Sequence, residues 1–290
     1  MIPLYTIILL NVFGALEVLL PLLFLYFLRR YKKYSISSVI CGLALYFIIT
    51  YMLSNSIFTI LRASFGEMYF IDHPLLGIVL DSVITALAFC PLAYLLVSRV
   101  RRGKWNLYDT IALATGYWLI PQLMGGAMEI STASLLQRAN RGTLEELASE
   151  AYPLELLHAL VDGVRELSPL IVTLEHITSL LSQWIVLMVM VSLCVSIFYI
   201  VKRKRKKLLY VLILVHFVMI MIINCSSTFL TTWVSLLPIL AVGLISAWYL
   251  YRFFRFYRSQ QADLIRRRKE FKEEQHRKYQ EELQKKNEKS

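Results

Sequence analysis

The sequence predicts an all-α fold, a polytopic membrane bundle of about seven transmembrane helices. Hydrophobic residues occupy 57% of the 290 positions, which is more than soluble domains usually contain. They are concentrated in runs of about 20 residues or more, each long enough to cross about 30 Å of hydrocarbon as a helix. Because backbone polar groups must be satisfied internally in lipid, every run is expected to be helical.

The seven predicted helices follow one another along most of the chain. They cover residues 4–28, 37–61, 75–98, 107–133, 170–201, 207–225 and 229–251. The first run has no basic segment before it and no small-residue cleavage site after it. We therefore interpret it as a permanent helix rather than a signal peptide.

The basic residues alternate between the two sides of the predicted bundle. Of the 31 Lys and Arg residues, 27 follow the first, third, fifth and seventh runs, at 29–33, 99–104, 202–207 and 252–290. The positive-inside rule then predicts an outer N-terminus and a cytoplasmic C-terminus. Inner loops beside anionic lipid account for the net charge of +11, so a nucleic-acid partner is not expected.

Two predicted domains follow from this pattern, a transmembrane bundle over 1–252 and a cytoplasmic charged helical tail over 253–290. Within the bundle, the outer segment 134–169 is expected to hold short amphipathic helices. Thr143 with Glu146 is typical of a capping box, and Pro153 of a helix's first turn. The second of these helices could lie in the membrane interface or pack as an ordinary loop helix.

Six ionisable residues fall inside the apolar runs, where such groups are costly and often functional. They are Glu17, Asp81, Glu129, Glu175, His176 and His216. The first three favour structural roles, and Glu17 has no evident partner in its own run. Glu175 and His216 are expected to face the bundle interior and to approach each other. Asp109 is expected to cap the start of the fourth helix.

Cysteine spacing gives no sign of a metal site. Cys41, Cys90, Cys194 and Cys225 all lie in or beside apolar runs, without the close pairs typical of zinc sites. We interpret them as small buried apolar residues.

Several stretches carry a resemblance to a known family. They are LPLLFLYFLRRYKKYSISSVICGLALYF (20–47), IDHPLLGIVLDSVITALAF (71–89), LEHITSLLSQW (174–184) and FYIVKRKRKKLLYVLILVHF (198–217). Together they resemble the YhfC family of intramembrane metalloproteases, which are similar in pattern to CAAX-type prenyl endopeptidases. The tail beyond about residue 255 lies outside the resemblance.

The resemblance implies a metal-dependent peptidase chemistry. The family pattern has a Glu-Glu pair and an Arg on one helix and Gly-x-Gly-His-Gly-Gly-x-Glu on the next. It continues with Glu-Arg followed by a His two turns later, and ends with a His on the last helix. Imidazoles would bind a divalent metal that lowers the pKa of a bound water, and a carboxylate would accept the water's proton.

On the first two of these helices the sequence departs from the pattern. Phe89 and Cys90 stand where the resemblance places the Glu-Glu pair, and Ala93 stands where it places the Arg. Tyr117 replaces the motif His and Pro121 replaces its Glu.

The last two helices keep part of the pattern. Glu175 matches, but His176 occupies the Arg position and Gln183 the His position. His216 matches the final His. Glu175 would thus be a catalytic remnant.

We therefore predict a non-catalytic member that binds membrane lipid, a lipid-like ligand, a transmembrane peptide or another membrane protein, and that needs no cofactor. The alternative is an active zinc metallopeptidase with altered ligands, using Glu175, His176 and His216. A small transporter is a second alternative, although the sequence shows no inverted repeat. The expected location is the plasma membrane of a bacterium, as a multi-pass protein.

Overall fold

Helices make up all the regular secondary structure in the described parts of the chain. The computed structural model describes residues 2–66, 69–100, 105–147, 153–166, 168–230 and 232–287. The α-helices are α1 (Leu4–Lys32), α2 (Ile36–Tyr46), α3 (Asn55–Phe65), α4 (Tyr69–Asp72), α5 (Pro74–Arg99), α6 (Leu107–Arg141), α7 (Leu154–Glu166), α8 (Pro169–Arg203), α9 (Leu208–Phe229) and α10 (Thr232–Asn287). A π-helix, Phe47–Ser54, joins α2 to α3, and a 3-10 turn, Leu144–Leu147, follows α6. The predicted all-helical membrane fold is confirmed.

Six helical segments among the described residues are long and apolar enough to cross a membrane, which indicates a multi-pass protein. They are Leu4–Lys32, Ile36–Phe65, Pro74–Arg99, Leu170–Arg203, Leu208–Phe229 and Val234–Gln275. The predicted span 107–133 lies within α6, which is not one of the six. The count of seven, the orientation and the bacterial plasma membrane stay predictions.

Helix α6 packs against α1, α2 and α8. This enclosure by other helices explains why it is less apolar than the six segments named above. Several of its polar side chains, among them Thr110, Thr115 and Gln122, are buried against neighbouring helices. A helix that is enclosed by protein needs fewer apolar residues than one that faces lipid.

The start of α6 is fixed by a reciprocal cap that also holds the start of α2. Asn106 is the N-cap and accepts a hydrogen bond from the Asp109 N–H at 2.8 Å, while Asp109 Oδ2 accepts one from the Asn106 N–H at 2.9 Å. Asp109 Oδ1 accepts two more, from the Ser35 N–H at 2.7 Å and the Ser38 hydroxyl at 3.1 Å. Asp109 therefore does help to cap α6, but from the third position of a capping box; the N-cap itself is Asn106, which has the extended backbone of that position.

Glycines bring α1 and α2 into backbone contact with α6. A Cβ added to Gly42 would collide with the carbonyl oxygen of Leu113, and one added to Gly116 would collide with that of Val39. Gly14 and Gly126 make a similar close approach between α1 and α6. Such small-residue crossings are typical of helix pairs in membranes.

The outer segment packs on the bundle through the apolar face of α7. Leu157 and Val161 are buried in one cluster with Leu136 and Leu144, which favours the packed loop helix. Among the described residues the predicted capping box at Thr143 is not formed, and Leu144–Leu147 is a 3-10 turn. The Thr143 hydroxyl instead donates to the Arg138 carbonyl at 3.5 Å.

By internal contacts, the chain divides into one unit of residues 1–243 and a second of residues 244–290. In the second unit, Arg266 pairs with Glu270 at 3.5 Å and Lys269 with Glu273 at 3.9 Å. Both pairs are exposed and contribute only a few tenths of a kcal/mol each. Side chains from residue 278 onward lie outside the described part.

Candidate functional site

Four side chains from three distant parts of the sequence lie together in the bundle: Phe89, Cys90, Tyr117 and His216, here called the former-site cluster. The Phe89 ring centroid lies 5.3 Å from that of His216 and 5.0 Å from that of Tyr117, both edge-on. Cys90 Sγ lies 3.5 Å from His216 Nδ1. The structure thus assembles positions that the resemblance assigned to catalysis.

The interior of the former-site cluster is closed to solvent. Phe89, Cys90 and His216 are each 0% exposed. His216 Nε2 has no hydrogen-bond partner among the described residues. The expectation that His216 faces the bundle interior is therefore confirmed, and the neighbours described for it are the Phe89 ring and the Cys90 thiol.

The residues of this cluster do not fit a catalytic metal. Zinc requires at least three protein donors and an open fourth position, whereas the cluster offers one imidazole and the thiol of Cys90. Phe89 and Tyr117 fill the adjoining space with rings that are poor zinc ligands. Across the described residues, no group of three His, Cys, Asp or Glu side chains is placed to hold a metal ion.

The remaining replaced positions, Pro121 and Gln183, lead to a different polar contact. Gln122, next to Pro121 on α6, donates from Nε2 to Gln183 Oε1 on α8 at 2.5 Å. Gln122 is fully buried, and its Oε1 has no partner in the described part of the chain. Gln122 was not among the predicted site residues, although an amide inside a long apolar helix was a visible signal.

A second polar cluster joins Glu17 on α1, Glu129 on α6 and His176 on α8. His176 Nε2 lies 3.4 Å from Glu129 Oε1, and its Nδ1 lies 2.7 Å from the Val172 carbonyl oxygen. Glu17 is 3% exposed and interacts electrostatically with both partners. The partners that the sequence did not reveal for Glu17 are thus on other helices. The cluster binds three helices to one another.

Glu175 and His216 do not approach each other, so that expectation is wrong. Helices α8 and α9 are joined by the short turn after Arg203. At about 1.5 Å per residue, Glu175 lies about 42 Å from that turn and His216 about 12 Å. The two side chains are therefore separated by roughly 30 Å along the helices. A single altered metal site built from Glu175, His176 and His216 is not assembled here.

Glu175 instead lines an open groove of about 450 Å³, here called the α8–α9 groove. Its lining is formed by Glu175, Thr178, Ser179, Ser182, Gln183, Val186, Ile223, Ser227, Leu230, Ser235 and Ile239. Two of its hydroxyls bond back to their own helix, Ser182 to the Thr178 carbonyl at 2.8 Å and Ser227 to that of Asn224 at 3.0 Å. The Glu175 carboxylate makes no ion pair with a described residue.

A family model described as YhfC intramembrane metalloprotease matches residues 16–244. No curated protein and no solved structure matches the chain.

Proposed function

The chain belongs to the YhfC intramembrane metalloprotease family, and we propose that it is a non-catalytic member that binds a transmembrane segment of another protein. The loss of catalysis is inferred from one observation, the composition of the former-site cluster. Phe89, Cys90 and Tyr117 occupy positions where the activation of a water molecule needs carboxylates and imidazoles. The one remaining imidazole, His216, is enclosed by them.

The α8–α9 groove supports the binding role. Its wall carries several small hydroxyl side chains, which let a second helix approach closely in a membrane. The hydroxyls of Ser182 and Ser227 are already satisfied within their helices, so an apolar surface can cover these two without leaving them unpaired. The size of the groove, about 450 Å³, suits several side chains of one helix face.

Glu175 favours a polypeptide over a lipid tail as the occupant. A carboxylate at membrane depth is stabilised by a partner that donates hydrogen bonds or carries positive charge. A transmembrane helix can supply such a side chain at that depth, whereas acyl chains have none. The retained Glu175 would thus act in recognition.

We expect a photo-crosslinking residue at Ser179, inside the groove, to give one discrete protein adduct in native membranes. The matched control is Ile177, on the same helix and 48% exposed, where only lipid adducts are expected. Glu175→Gln should reduce the Ser179 adduct about tenfold, the loss of one charge-assisted contact. Adducts would be measured by mass spectrometry of the purified protein. Lipid adducts alone at Ser179, or a protein adduct indifferent to Glu175, would contradict the proposal.

A further inference from the structure

A second cavity, of about 560 Å³, lies between the π-helix and α3 on one side and α5 on the other. We call it the π-helix cavity. Six of its seven lining residues are polar, namely Thr50, Ser54, Asn55, Thr59, Arg62 and Asp81. It shares no residue with the α8–α9 groove or the former-site cluster, and an inference from it is independent of the proposed function.

The cavity contains one carboxylate and one guanidinium that do not pair with each other. Asp81 Oδ1 accepts a hydrogen bond from the Ser54 hydroxyl at 2.9 Å. Neither Asp81 nor Arg62 forms an ion pair with any described residue. An unpaired carboxylate inside a membrane helix is costly, so a cationic group beside Asp81 would stabilise the site. The guanidinium of Arg62 can bind an anionic group at the same cavity.

The depths of the two charges differ. Asp81 lies about 10 Å along α5 from its first residue, and Arg62 about 5 Å from the last residue of α3. Both helix ends belong to the same predicted outer side. Arg62 is exposed and can extend to the interface, while Asp81 is held deeper by Ser54.

The π-helix gives the cavity its polar wall. A π-turn widens the helix by one residue per turn, and such segments are frequent at functional sites. Here it presents Thr50 and Ser54 to the cavity. Tyr46, the residue before the π-helix, packs edge-on against Tyr117 with ring centroids 5.4 Å apart, so this wall contacts the former-site cluster.

We propose that the π-helix cavity binds a zwitterion, with its ammonium at Asp81 and its anionic group at Arg62. A purely cationic ligand would leave Arg62 without a counter-ion, and a purely anionic ligand would leave Asp81 without one. A ligand with no charged groups would leave both without one. Two sources present this chemistry: the phosphoethanolamine headgroup of a lipid and a free zwitterion such as phosphoethanolamine itself.

The test uses the full chain in nanodiscs of equal phosphatidylethanolamine and phosphatidylglycerol, with retained lipid identified by native mass spectrometry. We expect retention of phosphatidylethanolamine by at least about tenfold, the effect of one charge-assisted contact. Asp81→Asn leaves the guanidinium alone and should invert the preference toward phosphatidylglycerol. Arg62→Gln, at an exposed position, should remove the preference. The control is Asp162→Asn, on the surface of α7.

A second arm adds free phosphoethanolamine to detergent-purified protein and follows thermal unfolding. A rise in unfolding temperature that Arg62→Gln abolishes supports a free ligand as the source, and lipid retention without such a rise supports the headgroup. Equal retention of both lipids by wild type, together with no thermal shift, would overturn the proposal. So would a lipid preference that is unchanged in both Arg62→Gln and Asp81→Asn.

Discussion

Replacing Gly116 by valine is expected to abolish the folded bundle. A Cβ at this position would collide with the carbonyl oxygen, carbonyl carbon and Cα of Val39, all backbone atoms that cannot rotate away. Helices α2 and α6 would have to separate along their whole contact. Overpacking usually costs about 1–3 kcal/mol where side chains can adjust, and a backbone collision is expected to exceed that range.

Gly42→Val tests the same crossing from the other helix, because its Cβ would collide with the Leu113 carbonyl oxygen and the Tyr117 nitrogen. Gly163→Ala in α7 is the matched control, since nothing lies within 4 Å of its added Cβ. That control should be neutral or stabilise the helix by up to about 1 kcal/mol. The readouts are monodisperse yield in mild detergent and the unfolding temperature. Wild-type values for Gly116→Val would show that α2 and α6 do not touch here.

Asp109→Ala is expected to destabilise the protein by about 3 kcal/mol, from the loss of one buried and two part-buried hydrogen bonds at about 1 kcal/mol each. The carboxylate accepts hydrogen bonds from the Asn106 and Ser35 N–H groups and from the Ser38 hydroxyl. Without it, the starts of α2 and α6 lose their common acceptor.

Asp109→Asn should lose about half as much stability. The amide keeps one acceptor oxygen, but its NH₂ group cannot accept from the donor that it then faces. The comparison variant is Asp162→Ala, whose exposed ion pair with Arg165 at 2.8 Å contributes about 0–1 kcal/mol. Denaturant unfolding in detergent measures all three. Equal losses of unfolding free energy for Asp109→Ala and Asp162→Ala would contradict the role of the Asp109 carboxylate in the capping box.

The helices were predictable because an apolar run of about 20 residues in a polytopic chain can satisfy its backbone in lipid only as a helix. Helix α6 was predicted, but its central place was not, since the partners of its buried Asp109 and Gln122 lie far away in sequence. The π-helix Phe47–Ser54 was missed for a related reason. Its residues are as apolar as an ordinary span, and composition does not report hydrogen-bond register.

The candidate site was predicted only in part, and the failures have a common cause. The resemblance identified Phe89, Cys90, Tyr117 and His216, which the structure brings together. The expected contact of Glu175 with His216 did not consider how far each residue lies from the turn between α8 and α9. Helices joined by a short turn place opposite each other residues that are equally far from that turn. Glu175 is about 42 Å from the turn and His216 only about 12 Å, so the two cannot meet. Contacts between helices, such as that of Gln122 with Gln183, cannot be predicted from the sequence of one helix alone.

The most direct test of the non-catalytic assignment is the zinc content of the purified full-length protein, measured by elemental analysis after dialysis. We predict substoichiometric zinc that is the same in wild type and in His216→Ala, because the former-site cluster has one imidazole and one thiol where three donors are needed. Cys90→Ser serves as the second variant, since the thiol at 3.5 Å is the other available donor. One zinc per chain, lost in His216→Ala while the protein stays folded, would contradict the non-catalytic assignment and restore an active metallopeptidase.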